Sequence, residues 1–193
     1  MRFEENSIFH VYNQGINRQP IFFTEANYHF FLRKMRSHLL PYADLLCYCL
    51  MPNHFHWLIM PKAEGLQVLD PNKPELSKVQ RLCRSIGTLL GSYTQAINRQ
   101  EERTGSLFRA KTKAKDGWVD AFVTIDGEKS HLFFRPDNDY ARQCFEYIHQ
   151  NPVKAGIVVQ AEAWPFSSAA DYAGLRKGTL CNQLKAREIG LVY

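Results

Sequence analysis

No stretch of this 193-residue chain approaches the ~18 consecutive apolar residues that a membrane-spanning helix requires. Its first residues, Met1 to His10, lack the basic start and apolar segment of a secretory leader. Cysteine is sparse: there are five, an odd number with no Cys-x-x-Cys pair, and Cys47 and Cys49 alternate in an apolar run as buried strand residues do. That pattern argues against both a disulfide framework and a thiolate metal site. Internal repeats and low-complexity segments are absent too, so no solenoid or tail is indicated. Charge of one sign is in short supply. The 24 Lys and Arg against 19 Asp and Glu leave a net charge of +5, a modest pull toward a polyanionic partner that says nothing about fold. What remains is the expectation of a soluble, unprocessed, cytoplasmic chain with no membrane partner. At 45% hydrophobic residues it is expected to form a single domain over 1–193 with its own core.

Periodicity supplies the elements. Residues 8–14 alternate as a strand, and Gly15 with Asn17 marks the turn out of it. From Thr24, a suitable N-cap, Tyr28, Phe31, Leu32, Met35 and Leu39 fall on one helical stripe that Pro41 stops. Residues 44–60 are apolar and aromatic but broken at Pro52-Asn53, which predicts two strands around a turn. A loop from Pro61 to Pro74 leads into the longest helix, with Val79, Leu82, Ile86, Leu89, Tyr93 and Ile97 at helical spacing. A basic connection over 99–115 follows, then two strand-like runs around Asp126-Gly127 that predict a hairpin at about 117–135. A third helix is expected from Asp137 to Gln150, capped by Asp137 or Asn138 and ended by Pro152, with a last short strand from Gly156 to Val159. Strands and helices mix without regular alternation, which indicates an α+β fold with helices on one face of a mainly antiparallel sheet.

Chemistry concentrates in two segments. His54 and His56 stand one residue apart on an apolar strand, so both imidazoles share a face while Phe55 takes the other. Such a pair can chelate a metal; it can equally be two hydrogen-bonded sheet histidines. On the third helix Tyr147 and Asn151 are an i, i+4 pair, about 40° apart around the axis, whereas His149 lies roughly 200° from Tyr147 and reads as structural. A helix laid across the histidine face would bring a phenol and an amide to the two imidazoles. Alone, the same two residues are also a half-buried aromatic and a helix-terminal amide. Arg99, Arg103, Phe108, Arg109, Lys111, Lys113 and Lys115 cluster after the long helix, combining charge for a phosphate backbone with a ring for a base. A solvated basic face would look the same.

These segments carry a family resemblance. MPNHFHWLI, residues 51–59, resembles the histidine, hydrophobic residue, histidine strand of the HUH single-tyrosine transposases. YIHQNPVKAGIV at 147–158 and WPFSSAADY at 164–172 resemble the tyrosine helix and tail of their REP-associated (RAYT) branch, as do FHVYNQGINRQPIF at 9–22 and GSLFRAK at 105–111, in the same order. Position 14 is Gln where that branch usually has Arg, and the 117–135 segment looks like an insertion.

The resemblance implies a ferredoxin-like (RRM-like) antiparallel sheet, here with an inserted β-hairpin. It implies a divalent cation, Mg²⁺ or Mn²⁺, held by His54, His56 and Asn151, and Tyr147 as the nucleophile that cleaves single-stranded or hairpin DNA. The tyrosine is implied to keep the 5′ phosphate and free a 3′ hydroxyl. Ligand preference alone would rank Zn²⁺, Ni²⁺ and Mn²⁺ above Mg²⁺ for two imidazoles; the amide and phosphate oxygens bring the hard ligands that suit Mg²⁺. The expected protein is thus a bacterial, nucleoid-associated transposase, monomer or homodimer, acting at hairpin-forming repeats. The alternative is a non-catalytic single-stranded DNA or RNA-binding module on the same fold, and a third class is a water-using metal hydrolase that needs no tyrosine.

Overall fold

The computed structural model of the chain describes residues 2–116 and 139–192. The hairpin expected at about 117–135 and the caps Asp137 and Asn138 lie outside the described residues. The elements run β1 (Phe9–Gln14), a 3-10 turn (Ile16–Arg18), α1 (Glu25–His38), β2 (Ala43–Met51), β3 (His54–Pro61), α2 (Ala63–Leu66), α3 (Arg81–Gln100), β4 (Lys113–Asp116), α4 (Asp139–Lys154), α5 (Ala169–Tyr172) and α6 (Gln183–Glu188).

The strands form one sheet in the order β2-β3-β1-β4 with every neighbouring pair antiparallel. Both β1–α1–β2 and β3–α3–β4 are therefore split βαβ crossovers, the arrangement of a ferredoxin-like fold. The turn chemistry sets the register. Gly15 leaves β1 where a Cβ would lie 2.1 Å from the Gln19 carbonyl, and its amide donates to the Asn53 carbonyl at 2.8 Å. The two strand ends that carry Gln14 and His54 are pinned together by that bond. Thr24 caps α1 through a reciprocal box with Asn27, the Thr24 amide donating to Asn27 Oδ1 at 3.0 Å.

Alternation along the strands divides the core. Phe9, Val11, Phe55, Trp57 and Ile59 face α1 and α3, meeting Phe31, Met35, Leu82, Leu89 and Tyr93 in an aromatic-rich layer. This is the helical layer expected on one face. The opposite face is covered as well: Cys47, Cys49 and Leu58 meet Ala141, Cys144, Phe145 and Ile148 of α4, with Ala186 of α6 beside them. A register shift lies between Leu45 and Cys47, and the successive residues Leu46 and Cys47 both join the layer under α4.

Four expectations change. The segment 61–74 contains α2, whose Gly65 sits where a Cβ would be 2.3 Å from the Tyr42 carbonyl oxygen. The fourth strand is β4, drawn from the basic connection, and it pairs with β1. Residues 156–159 form no strand, and Val159 is 91% exposed. Finally, α4 passes through Pro152 to Lys154. It ends at Gly156 (φ 67°), with Gly156 N–H donating to the Val153 carbonyl and Ile157 N–H to the Pro152 carbonyl, both at 2.9 Å. That double bond pattern around a left-handed glycine is the stop signal that the proline obscured.

After α4, Trp164 donates its indole N–H to the Leu50 carbonyl at 2.9 Å, and residues 166–168 bond β2 through Phe166 O and Ser168 N–H. The tail covers the exposed edge of the sheet.

Candidate nucleic-acid cleavage site

The face under α4 is apolar toward β2 and polar toward β1. Strand alternation puts His54 and His56 of β3 on it, and pairing sets Tyr12 opposite His56 and Gln14 opposite His54. The same alternation brings in His10, two residues from Tyr12. The His54 and His56 rings are 5.0 Å apart and near perpendicular at 85°. On α4 the stripe Ala141, Cys144, Phe145, Ile148 faces the sheet, and Tyr147 stands at its margin with its ring 5.6 Å from that of His56 and 6.1 Å from that of His10. The strand pair and the helix thus bring Tyr147 to His56 and His10, with the His54 ring 5.0 Å from that of His56. Asn151 follows one turn on, 7% exposed, its Nδ2 donating to the Tyr147 carbonyl at 2.8 Å. That bond uses the amide nitrogen, so Oδ1 is the atom of Asn151 that could hold a ligand.

Hydrogen bonding separates the groups that are occupied from those that are not. His54 Nδ1 is 2.6 Å from Asn53 Oδ1, and His56 Nδ1 is 2.8 Å from His10 Nε2. By contrast His56 Nε2 and the Tyr147 hydroxyl are buried with no hydrogen-bond partner. Unsatisfied buried polar atoms cost about 1–3 kcal/mol each, so two of them on rings 5.6 Å apart mark this helix–sheet seam as a candidate place for a ligand, although Trp57 Nε1 on the opposite face is unpartnered too. Burial also sets the electrostatics. It pushes the Tyr147 phenol up to about 12, an effect the Asn151 amide partly offsets. It drives the His56 imidazole well below its ordinary range, helped by the nearby His10 and His54, so His56 is neutral at physiological pH.

Among the described residues no three His, Cys, Asp or Glu side chains converge as a metal cluster. The donors on offer are the imidazoles of His54 and His56, whose rings are 5.0 Å apart, and the amide of Asn151 one turn beyond Tyr147; in type these nitrogen and oxygen atoms suit a loosely held cation completed by phosphate and water oxygens.

His149 points away from this seam, as its helical position predicts. Its Nε2 is 2.8 Å from Ser168 Oγ, which also receives the Tyr48 amide at 2.9 Å, so it fastens α4 to β2 and the tail. Burial lowers its pKa to about 4.

The basic cluster divides. Phe108 is a correction: expected to meet a base, it is 7% exposed and packs against Phe31, Phe55 and Tyr93, because the bridge from Gly15 to Phe108 draws it under the sheet. Arg103 bonds Gln19 and the Ser106 carbonyl. Arg99 is exposed at the end of α3 in the helical layer, on the far side of the sheet from Tyr147. Arg109 and Lys111 are exposed on the approach to β4, a segment Asn13 holds by donating to the Arg109 carbonyl at 3.2 Å and to Thr112 Oγ1 at 2.9 Å. Lys113 pairs with Tyr12 and places its ammonium 6.0 Å from that ring, and Lys115 is in register with His10.

Sequence reasoning missed His10, Tyr12 and Lys154, whose ammonium stands 5.0 Å from the centre of the Tyr147 ring. The signal for the first two was present in FHVY, whose alternation puts His10 and Tyr12 on one face; that the face is the histidine face needed the β1–β3 register.

No family profile and no curated protein matches the chain. A solved structure, of a REP-associated tyrosine transposase bound to a REP hairpin, is similar over 91% of this chain and 85% of that one, with 19% sequence identity and a TM-score of 0.52. At that identity the likeness is one of architecture. The chain has the fold of a REP-associated tyrosine transposase.

Proposed function

We propose that this protein is a metal-dependent single-strand DNA endonuclease and strand transferase that works through a covalent phosphotyrosine at hairpin-forming repeats. The observation that carries the reading is the approach of Tyr147 on α4 to His56 on β3, rings 5.6 Å apart, with the Tyr147 hydroxyl and His56 Nε2 both buried and unpartnered. The hairpin-bound state of the structural neighbour supports the choice of substrate.

His54, His56 and Asn151 hold the divalent cation, Mg²⁺ or Mn²⁺. When bound, the cation offsets the charge that builds on the phosphoryl oxygens. The Tyr147 oxygen attacks phosphorus; a tyrosyl O–P bond forms, the P–O bond to the 3′ oxygen breaks, and that oxygen takes up a proton as a 3′ hydroxyl. Attack by another DNA 3′ hydroxyl reverses the step and returns the phenol, so strands rejoin without ATP. The phenol at about 12 is protonated at neutral pH, and the Asn151 amide favours its ionised form, while the Lys154 ammonium stands 5.0 Å from the centre of the ring. Lys113 and the exposed Arg109 and Lys111 flank the histidine face and neutralise the backbone on either side of the scissile bond.

Incubation with single-stranded hairpin DNA and Mn²⁺, followed by a denaturing gel, tests the reading: a denaturation-resistant protein–DNA adduct is expected, absent in Tyr147→Phe. That no three His, Cys, Asp or Glu side chains converge among the described residues favours the second reading, a binding module with an idle site, in which DNA binds and no adduct forms. Cutting that survives Tyr147→Phe would instead identify a water-using hydrolase.

A further inference from the structure

We infer that His10 is a positioning residue for the cation site: it accepts a hydrogen bond from His56 Nδ1–H and so fixes His56 in the tautomer whose Nε2 carries a free lone pair. The inference rests on the cation reading above and adds to it a residue outside the ligand set. A neutral imidazole has one N–H and one lone pair. The His56 and His10 rings meet through Nδ1 and Nε2 at 2.8 Å, so one of these nitrogens holds the proton and the other accepts it. If His10 donated, His56 would carry its own proton on Nε2, pointing an N–H into the seam where a cation would bind. If His10 accepts, its own proton sits on Nδ1 and His56 Nε2 is a free ligand atom; the unpartnered Nε2 is compatible with both arrangements, and the need for a cation ligand selects the second.

The surroundings make this bond an effective lock. His10 is fully buried, so water does not compete for the His56 nitrogen. Its ring is held against Tyr12 at 5.0 Å and against Tyr147 at 6.1 Å. Metal-binding histidines ordinarily give their second N–H to a carboxylate or carbonyl, which fixes the ring. Here the acceptor is an uncharged imidazole. It orients His56 without adding negative charge, which leaves the cation's full charge to act on a phosphodiester.

The test compares His10→Phe, which keeps a ring of similar size and removes the acceptor, with His10→Gln, whose amide oxygen restores it. Melting temperatures confirm that both variants are folded. Nitrogen NMR of the imidazoles in the metal-free full chain is expected to find His56 as the Nδ1–H tautomer in the wild type and in His10→Gln, and mixed in His10→Phe. Mn²⁺ titration by calorimetry is expected to show affinity lowered about 10- to 100-fold in His10→Phe and largely recovered in His10→Gln. An Nε2–H tautomer in the wild type, unchanged Mn²⁺ affinity in His10→Phe, or no Mn²⁺ binding by the wild type overturns the assignment. These readouts involve no DNA: if they come out as expected while no tyrosyl adduct forms, the cleavage reading fails and the role of His10 stands.

Discussion

Phe55 and His56 are neighbours on β3, but they belong to different environments. Phe55 enters a layer of rings, 4.2 Å from Trp57 and edge-on to Phe108 at 6.0 Å, closed on all sides by α1 and α3. His56 enters a seam where imidazoles and a phenol, rather than hydrocarbon rings, are buried together; an unpartnered donor is not peculiar to it, since Trp57 Nε1 beside Phe55 also lacks a partner. The first face behaves as a core, where free energy comes from apolar area and close packing. The second gives up some of that energy at its β1 side to keep donors and acceptors in reserve. One strand thus supplies a rigid support and the groups mounted on it, and substitutions on the two sides are expected to separate stability from activity.

The largest effect is expected from a single oxygen. Tyr147→Phe leaves the ring packing on α4 intact and removes a hydroxyl that has no partner, so the melting temperature stays within a few degrees of wild type or rises. The DNA adduct disappears entirely. A full-strength adduct in this variant would remove the distinction between the two faces, because the nucleophile would then lie elsewhere.

Next comes the neighbouring pair. Phe55→Ala is expected to cost about 3–5 kcal/mol of stability, read by urea denaturation, while its folded fraction still binds Mn²⁺. His56→Ala reverses the pattern. It costs about 1–3 kcal/mol, from the lost His10–His56 hydrogen bond, and abolishes measurable Mn²⁺ binding. Equal losses of stability with Mn²⁺ binding retained would make His56 an ordinary core histidine.

The seam itself is sharpened by His149 and Asn151, two residues apart on α4. Asn151→Ala is expected to raise the Mg²⁺ concentration needed for cleavage, with partial recovery in Mn²⁺, and His149→Ala to leave that requirement unchanged. His149 instead governs acid stability. Its folded pKa of about 4 lies below the ordinary value of 6.5, so its neutral form supports the fold fully above about pH 6.5, and the support is lost as pH falls toward 4. The wild type should lose up to about 3 kcal/mol across that window, and His149→Ala, weaker at neutral pH, should show a shallower decline.

The sequence made the strand-borne half of this site legible because alternation is local. His54 and His56 share a face whatever the fold, and Thr24, Pro52-Asn53 and the stripe from Leu82 to Ile97 mark their elements from nearby residues alone. What it hid depended on distant pairing. Lys113 to Asp116 is a strand because β1 offers it an edge, not because Lys-Ala-Lys-Asp has strand character. Phe108 is core because Gly15 bridges to it, and His10 joins the site because β1 lies beside β3. Pro152 reads as a helix stop, yet Gly156 terminates α4 one turn later, which is why Asn151 sits inside the helix and bonds back to the Tyr147 carbonyl.

The smallest effect tests where DNA runs. Lys113 belongs to the polar side, in register with Tyr12, whereas Arg99 projects from the helical layer that supports the other face. A backbone crossing the Tyr147 seam passes Lys113 and does not reach Arg99. Each lysine on a phosphate of a single strand releases about 0.7 of a counterion, so Lys113→Gln should weaken hairpin binding modestly and flatten the plot of log affinity against log salt by roughly that amount. Arg99→Gln should change neither quantity. The melting temperatures of both variants should match the wild type, since Arg99 is exposed and Lys113 lies on an exposed strand position. Should the Arg99 variant flatten the slope and the Lys113 variant leave it unchanged, the nucleic acid lies across α3, and the apolar-supported face rather than the histidine face is the one that meets DNA.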